Sequence, residues 1–278
     1  MNSILKLGLI GDNIDRSQSP HLHRTCGRMA GIDVSYERLV PHAMGLRFEE
    51  VFAKAKDEGF HGINVTYPYK ERAHQFVTVA DPAVQAIGAV NTVLFSPSGP
   101  QGFNTDYSGF VQAYAAARDA PPGTVCLIGA GGVGKAVAFA LLALKADAII
   151  CVDLDRAKAE ALAHALKATG THTLISVSDA PLDAALQADG IINCTPLGMV
   201  NIGGTPLPAS AMTRASWAFD AVYTPVETQF LEDATSAGLT VISGYELFLA
   251  QGLDAWALFS GQQPDRVATH AQLLGETA

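Results

Sequence analysis

Between residues 125 and 153 the chain reads Val125-Cys-Leu-Ile-Gly129-Ala130-Gly131-Gly132-Val133-Gly134-Lys135, then an Ala/Val/Leu-rich stretch, then Ile149-Ile-Cys-Val-Asp153. An apolar run, a glycine cluster, a helical pattern and a second apolar run leave few options. They predict a strand, a tight turn, a helix and a parallel strand. Gly129 permits the turn, Gly131 lets a pyrophosphate approach the backbone, and Gly134 lets helix and strand pack closely. Phosphate charge would then sit on unpaired N–H groups at the positive end of the helix. Asp153 lies nineteen residues after Gly134. An acid there accepts both hydroxyls of an adenosine ribose and repels a 2′-phosphate, which argues for NAD over NADP. The local alternative is a plain turn with Asp153 capping the next helix. Asp155, directly before Arg156-Ala-Lys-Ala, is the better placed cap.

A chain of 278 residues has room for one large or two ordinary domains. Its 49% hydrophobic and 16% charged residues describe a globular protein rather than a disordered one. A net charge of −9 with no basic run speaks against a nucleic-acid partner. Cys26, Cys126, Cys151 and Cys194 are scattered, without the spacing of a zinc site or a disulfide framework. No metal is therefore expected. The first residues do not read as a signal peptide, and no apolar stretch reaches membrane-spanning length. The expected location is the cytoplasm.

Short strands and helices alternate through the first third. Leu5 to Ile10, Ser35 to Leu39 and Gly62 to Thr66 are strand-like, and Phe48 to Glu58 has one apolar face. Residues 89 to 104 read as a hairpin around Ser-Pro-Ser-Gly-Pro, and Tyr107 to Ala117 as a helix. From Val125 onward the alternation implies a parallel sheet covered on both faces. The expected class is α/β. An N-terminal αβ substrate domain covers residues 1–107, with helices from 245–278 packing back on it. A Rossmann-like, doubly wound dinucleotide domain covers 108–244, with a cleft between the two.

Four polar segments fall at strand ends of the first domain: Ser17-Gln-Ser19-Pro, Asn64-Val-Thr66-Tyr-Pro-Tyr69-Lys70, Asn91-Thr92 and Asn104-Thr-Asp106. Hydroxyls can bind a carboxylate, Asn and Asp can bind ring hydroxyls, and Lys with Asp can manage a proton. The inventory suits a small, hydroxylated, anionic molecule. Each segment also has a local use. Ser-x-Ser-Pro can cap a helix, Asn-Thr can close a turn, Lys70 can be solvated and Asp106 can cap the helix that follows it.

The chain resembles the shikimate/quinate dehydrogenase family. The matching motifs are Ser17-Gln-Ser19-Pro-His-Leu-His, Asn64-Val-Thr66-Tyr-Pro-Tyr-Lys70-Glu, Gly88-Ala-Val-Asn91-Thr and Gly102-Phe-Asn104-Thr-Asp106. They continue in order with the glycine cluster, Asn193-Cys-Thr195-Pro-Leu-Gly-Met199, Asp220-Ala-Val222-Tyr223-Thr-Pro, and Gly244 followed by Gln251. The resemblance implies that Ser17 and Ser19 bind the carboxylate of a hydroxylated cyclohexane or cyclohexene acid. Thr66, Asn91, Asp106 and Gln251 would bind ring hydroxyls, Asn64 and Tyr223 would complete the pocket, and Lys70 and Asp106 would form the catalytic pair. Arg156, Thr195, Val222 and Gly244 would join the glycine cluster and Asp153 at the cofactor.

Two departures from the common pattern are similar to the NAD-dependent quinate/shikimate branch. Asp153-Leu-Asp155 stands where NADP-dependent members look like Asn-Arg-Thr. Tyr69 precedes Lys70, and Lys135 follows Gly134 where arginine is usual. Arg156 could still approach a phosphate, so dual cofactor use stays open. Serine at position 19, where quinate-preferring members tend to carry threonine, resembles shikimate-preferring ones. The expected reaction is NAD-dependent interconversion of shikimate and 3-dehydroshikimate, and also of quinate and 3-dehydroquinate. The alternatives are an enzyme for amino-substituted analogues and a non-catalytic sensor of the same fold. Retention of both Lys70 and Asp106 disfavours the sensor. Oligomeric state stays open.

Overall fold

A computed structural model of the chain describes residues 4–275. Contacts divide it into two compact units, one built from residues up to Thr105 together with those from Leu249 onward, the other from Asp106–Phe248. The outermost residues assigned from sequence to the first domain, 1–3 and 276–278, lie outside the described residues.

The first unit runs β1 Leu5–Ile10, α1 Ser19–Ala30, β2 Val34–Leu39, α2 Pro41–Met44, α3 Phe48–Asp57, β3 Gly62–Val65, α4 Lys70–His74, α5 Pro82–Ile87, β4 Thr92–Ser96 and β5 Gly99–Phe103. Its sheet has the order β2-β1-β3-β4-β5. The first three strands are parallel; β4 and β5 form the antiparallel hairpin expected from the Ser-Pro-Ser-Gly-Pro turn. Helix α3 buries Phe48, Val51, Phe52 and Ala55, the apolar stripe legible at helical spacing. Ala255 and Phe259, from late in the chain, pack with Leu7, Leu9, Ile14 and Tyr36.

Helix α6 Thr105–Ala117 leads into the second unit. There follow β6 Thr124–Ile128, α7 Gly132–Ala143, β7 Ala148–Val152, α8 Arg156–Ala168, β8 Leu174–Val177, α9 Pro181–Ala185, β9 Gly190–Asn193, β10 Trp217–Asp220, α10 Gln229–Ser236 and β11 Thr240–Ile242, and then α11 Gly244–Ser260, whose residues from Leu249 onward belong to the first unit. Helix α12 Arg266–Gly275 ends the described chain. The second sheet has the order β11-β10-β9-β6-β7-β8, and every pairing in it is parallel. Parallel strands covered on both faces read as continuous apolar runs, which is why β6, β9 and β10 lack alternation. The order reverses between β6 and β9. In open sheets of this kind ligands bind beyond the carboxyl ends of the strands at such a reversal.

Candidate functional site

In the first unit, Asn91 gathers the polar residues. Its side-chain oxygen accepts from the Thr105 amide at 2.7 Å, the Thr92 hydroxyl at 3.1 Å and the Thr105 hydroxyl at 3.2 Å. Its Nδ2 donates to Thr105 Oγ1 at 3.0 Å and to Gln251 Oε1 at 3.4 Å. Gln251, 160 residues away in sequence, is thus brought to Asn91. Asn64 sits behind this group and is buried. Its oxygen accepts from Tyr36 at 2.8 Å, while its nitrogen donates to Thr92 Oγ1 at 3.1 Å and to the Asn91 carbonyl at 3.4 Å. Asn64 therefore braces Asn91 and Thr92.

His23 extends the same array inward. Its ring stacks on Tyr36 at 5.0 Å and 13°, close to Trp256 and Phe259. Burial pushes its pKa down to about 3, so the ring is neutral at physiological pH. Tyr36, Thr92, Thr105 and His23 were absent from the sequence assignment. Only the Asn-Thr doublets at 91–92 and 104–105 could have signalled the two threonines.

Ser17 and Ser19 form a pair at the start of α1, their hydroxyl oxygens 3.2 Å apart. Arg38 donates to the Ser17 carbonyl at 3.0 Å and brings a cation to that turn. Thr66 follows β3, its amide donating to Ile10 at 2.9 Å. Lys70 opens α4, and its carbonyl accepts from Val90 at 3.0 Å, which sets it beside the segment that leads through Asn91 into β4. Tyr69 stacks on Phe48 at 5.1 Å and donates to the Asp12 carboxylate at 3.2 Å. Partial burial and the neighbouring Asp12 raise its phenol above the usual range.

The second unit carries the glycine turn at the sheet reversal. Gly129 has φ +102, and a Cβ there would meet the Cys194 carbonyl at 2.7 Å. A Cβ at Gly134 would lie 1.9 Å from Gly129 O, so α7 packs directly on the turn. A Cβ at Gly131 meets nothing within 4 Å. That open space is what a phosphate needs in order to reach the helix N-terminus formed by Gly131, Gly132 and Val133. Asp153 Oδ2 accepts from the Ala130 amide at 2.7 Å, and Oδ1 from the Asp155 amide at 2.8 Å. A carboxylate offers about four acceptor positions. Two thus remain for a pair of ribose hydroxyls.

Asp155 caps α8 by accepting from Ala157 at 3.1 Å, the role expected from sequence. Arg156 is turned to two other acids, donating to Glu160 at 2.8 Å and to Asp179. Thr195 follows β9, its hydroxyl already shared between Asn193 at 2.7 Å and the Leu197 amide at 3.2 Å. Val222 follows β10 and is buried; a Cβ at Gly244 would lie 2.4 Å from its carbonyl. Tyr223 stacks on Phe248 at 5.0 Å and 11°. Asp106 lies in the first turn of α6 and is 5% exposed. Among the described residues no group of three or more His, Cys, Asp or Glu is placed to hold a metal, and no helix is long and apolar enough to cross a membrane.

A doubly wound unit with a phosphate-ready turn and a ribose-ready acid, on a chain with a second, polar αβ unit, defines a class: nicotinamide-dependent oxidoreductases. Residues 9–93 match the family model of the shikimate dehydrogenase substrate binding domain. The quinate/shikimate dehydrogenase (NAD(+)) of Corynebacterium efficiens is 37% identical over 95% of this chain and 95% of its own. The shikimate dehydrogenase (NADP(+)) of Streptomyces avermitilis is 38% identical over 98% of this chain and 97% of its own. Among solved structures, quinate dehydrogenase from Corynebacterium glutamicum in complex with NAD superposes with a TM-score of 0.90. It is 34% identical and covers 98% of this chain and 100% of its own. The chain belongs to the shikimate/quinate dehydrogenase family.

Proposed function

We propose that this chain interconverts shikimate and 3-dehydroshikimate with NAD, and quinate and 3-dehydroquinate with the same cofactor. The observation that carries the cofactor choice is Asp153. Relatives of nearly equal identity use NAD or NADP by name, so overall similarity does not decide it. A carboxylate with two acceptor positions left suits two ribose hydroxyls and repels a phosphate. Arg156, the one cation near that strand end noted from sequence, is engaged by Glu160 and Asp179.

In this reading the first unit binds the cyclic acid and the second the dinucleotide. Ser17 and Ser19 hold the substrate carboxylate. Thr66, Asn91, Asp106 and Gln251 take ring hydroxyls, with Asn64 bracing Asn91 and Tyr223 completing the pocket. Lys70 and Asp106 form the catalytic pair: Lys70 takes the proton of the reacting hydroxyl, and Asp106 accepts a hydrogen bond that orients it. Bound NAD supplies the hydride acceptor. None of the four cysteines is bridged in a disulfide, which fits the reducing, cytoplasmic location we propose.

The test is kcat/KM with NAD and with NADP for the wild type, Asp153→Ala and Arg156→Ala. Asp153→Ala is expected to weaken NAD use and narrow the NAD-to-NADP ratio at least tenfold, while Arg156→Ala leaves the ratio within a few-fold. An unchanged ratio in Asp153→Ala would overturn the assignment.

A further inference from the structure

The buried carboxylate of Asp220 is not among the residues assigned to chemistry or ligand. It is 0% exposed at the end of β10, on the side of the sheet where the glycine turn lies. Three separate segments donate to it. Asn193, at the end of β9, gives its Nδ2 to Oδ1 at 3.0 Å. The Val222 amide gives a second bond to Oδ1 at 3.0 Å. The Thr228 hydroxyl, which also caps α10 by accepting from the Leu231 amide, gives one to Oδ2 at 2.6 Å. The bond from Asn193 fixes how that amide is turned. Its Nδ2 also reaches the Leu197 carbonyl at 3.0 Å, and its oxygen accepts from the Thr195 amide at 3.0 Å and the Thr195 hydroxyl at 2.7 Å. One unbroken chain of side chains therefore runs from Thr228 through Asp220 and Asn193 to Thr195. It ties together the loops that follow β9 and β10.

We propose that Asp220 is a positioning residue for cofactor binding: through Asn193 and Val222 it holds Thr195 and the 222 segment in the one arrangement the dinucleotide meets. The inference rests on the reading that this unit binds the dinucleotide. Two features favour this over a purely structural brace. The array ends on backbone groups of the two loops after the sheet reversal, where ligands bind in open parallel sheets. It also uses up the Thr195 hydroxyl, so that loop presents a fixed backbone and methyl rather than a rotating donor. Burial raises the Asp220 carboxyl to about 6, and the three donors oppose that shift by favouring the charged form. An amide at this position can keep the pattern, its oxygen accepting from Asn193 and Val222 and its nitrogen donating to Thr228.

The test compares Asp220→Ala with Asp220→Asn by steady-state kinetics with shikimate and NAD, alongside NAD dissociation constants from fluorescence titration. Asp220→Ala is expected to raise KM and Kd for NAD about tenfold while KM for shikimate moves less than twofold. Asp220→Asn should return the NAD constants to within threefold of wild type. In an Asn193→Ala background, Asp220→Ala should add little further loss, because both break the same chain. Should Asp220→Ala not fold, Thr228→Val removes one donor from the far side and is expected to raise KM for NAD severalfold in the same direction. Unchanged NAD constants in whichever of these variants folds, or equal losses in the NAD and shikimate constants, would overturn the proposal. A wild type that binds no NAD would instead overturn the reading beneath it.

Discussion

Replacing Gly134 and Gly131 by alanine, one at a time, separates what the turn does for folding from what it does for a ligand. At Gly134 the new methyl carbon would stand 1.9 Å from Gly129 O and 2.9 Å from its carbonyl carbon. Both are backbone atoms. Close carbon–oxygen contacts run at about 3.3–3.6 Å, so α7 must retreat by roughly 1.5 Å. Overpacking of this kind costs about 1–3 kcal/mol or more. The better helix propensity of alanine returns up to about 1 kcal/mol. A clash with backbone atoms belongs at the upper end of the overpacking range, and the net loss of up to about 2 kcal/mol lowers the melting temperature of a unit this size by up to roughly 4–8 °C. At Gly131 the backbone is extended, with φ −75 and ψ −170, and the methyl meets nothing. Its cost to folding, mainly a poorer N-cap, stays below about 1 kcal/mol. The methyl would, however, occupy the space through which a pyrophosphate approaches. Thermal unfolding without cofactor, followed by circular dichroism, should show a clear drop for Gly134→Ala and almost none for Gly131→Ala. KM for NAD should rise at least tenfold for Gly131→Ala. A cofactor-free Gly134→Ala as stable as wild type would refute the packing argument, and a normal NAD constant for Gly131→Ala would refute the phosphate path.

Three further outcomes follow from the same geometry. Lys70→Ala should lower kcat by at least a hundredfold with NAD binding intact by fluorescence titration, and near-normal turnover would remove Lys70 from the reaction. Asp220 carries a folded-state value near 6 against an ordinary 3.8, so its ionisation disfavours the fold as pH rises through that window. Asp220→Asn should therefore gain stability over wild type between pH 4 and 7, by about 3 kcal/mol at most; a pH-independent difference in urea midpoint would contradict this. His23 is neutral in the fold, so its contribution is present above pH 6.5 and is lost as pH falls toward 3. Each unit of acidification removes up to about 1.4 kcal/mol, and His23→Gln should flatten that slope in denaturant titrations.

The parts legible in the sequence are those whose cause is local. Gly129 to Gly134 with its flanking strand and helix lies within one stretch, and each demand on it is met by a neighbour. The caps of α8 and the stripe of α3 are equally short-range. The polar arrays are not. Tyr36 reaches Asn64 across 28 residues and past the intervening β1, and Asn193 reaches Asp220 across 27 from the neighbouring strand; no local pattern reveals either placement. For the same reason the bonds that hold the Asn64 amide to Tyr36, Thr92 and Asn91 are invisible in the sequence, where Asn64 reads only as a pocket residue. Helices α2, α4 and α9 have four or five residues each, too few for periodicity to show. Arg156 read as a group near a phosphate because Asp179, which holds it, lies beyond the next strand.

The steady-state comparison of shikimate and quinate, each with NAD and with NADP, bears most directly on the proposed activity. We expect turnover of both acids with NAD, shikimate at least as efficient as quinate by kcat/KM, and a clear loss with NADP. A large preference for quinate would contradict the reading of Ser19, and a preference for NADP would contradict that of Asp153. Absence of turnover with either acid would contradict the proposed reaction itself.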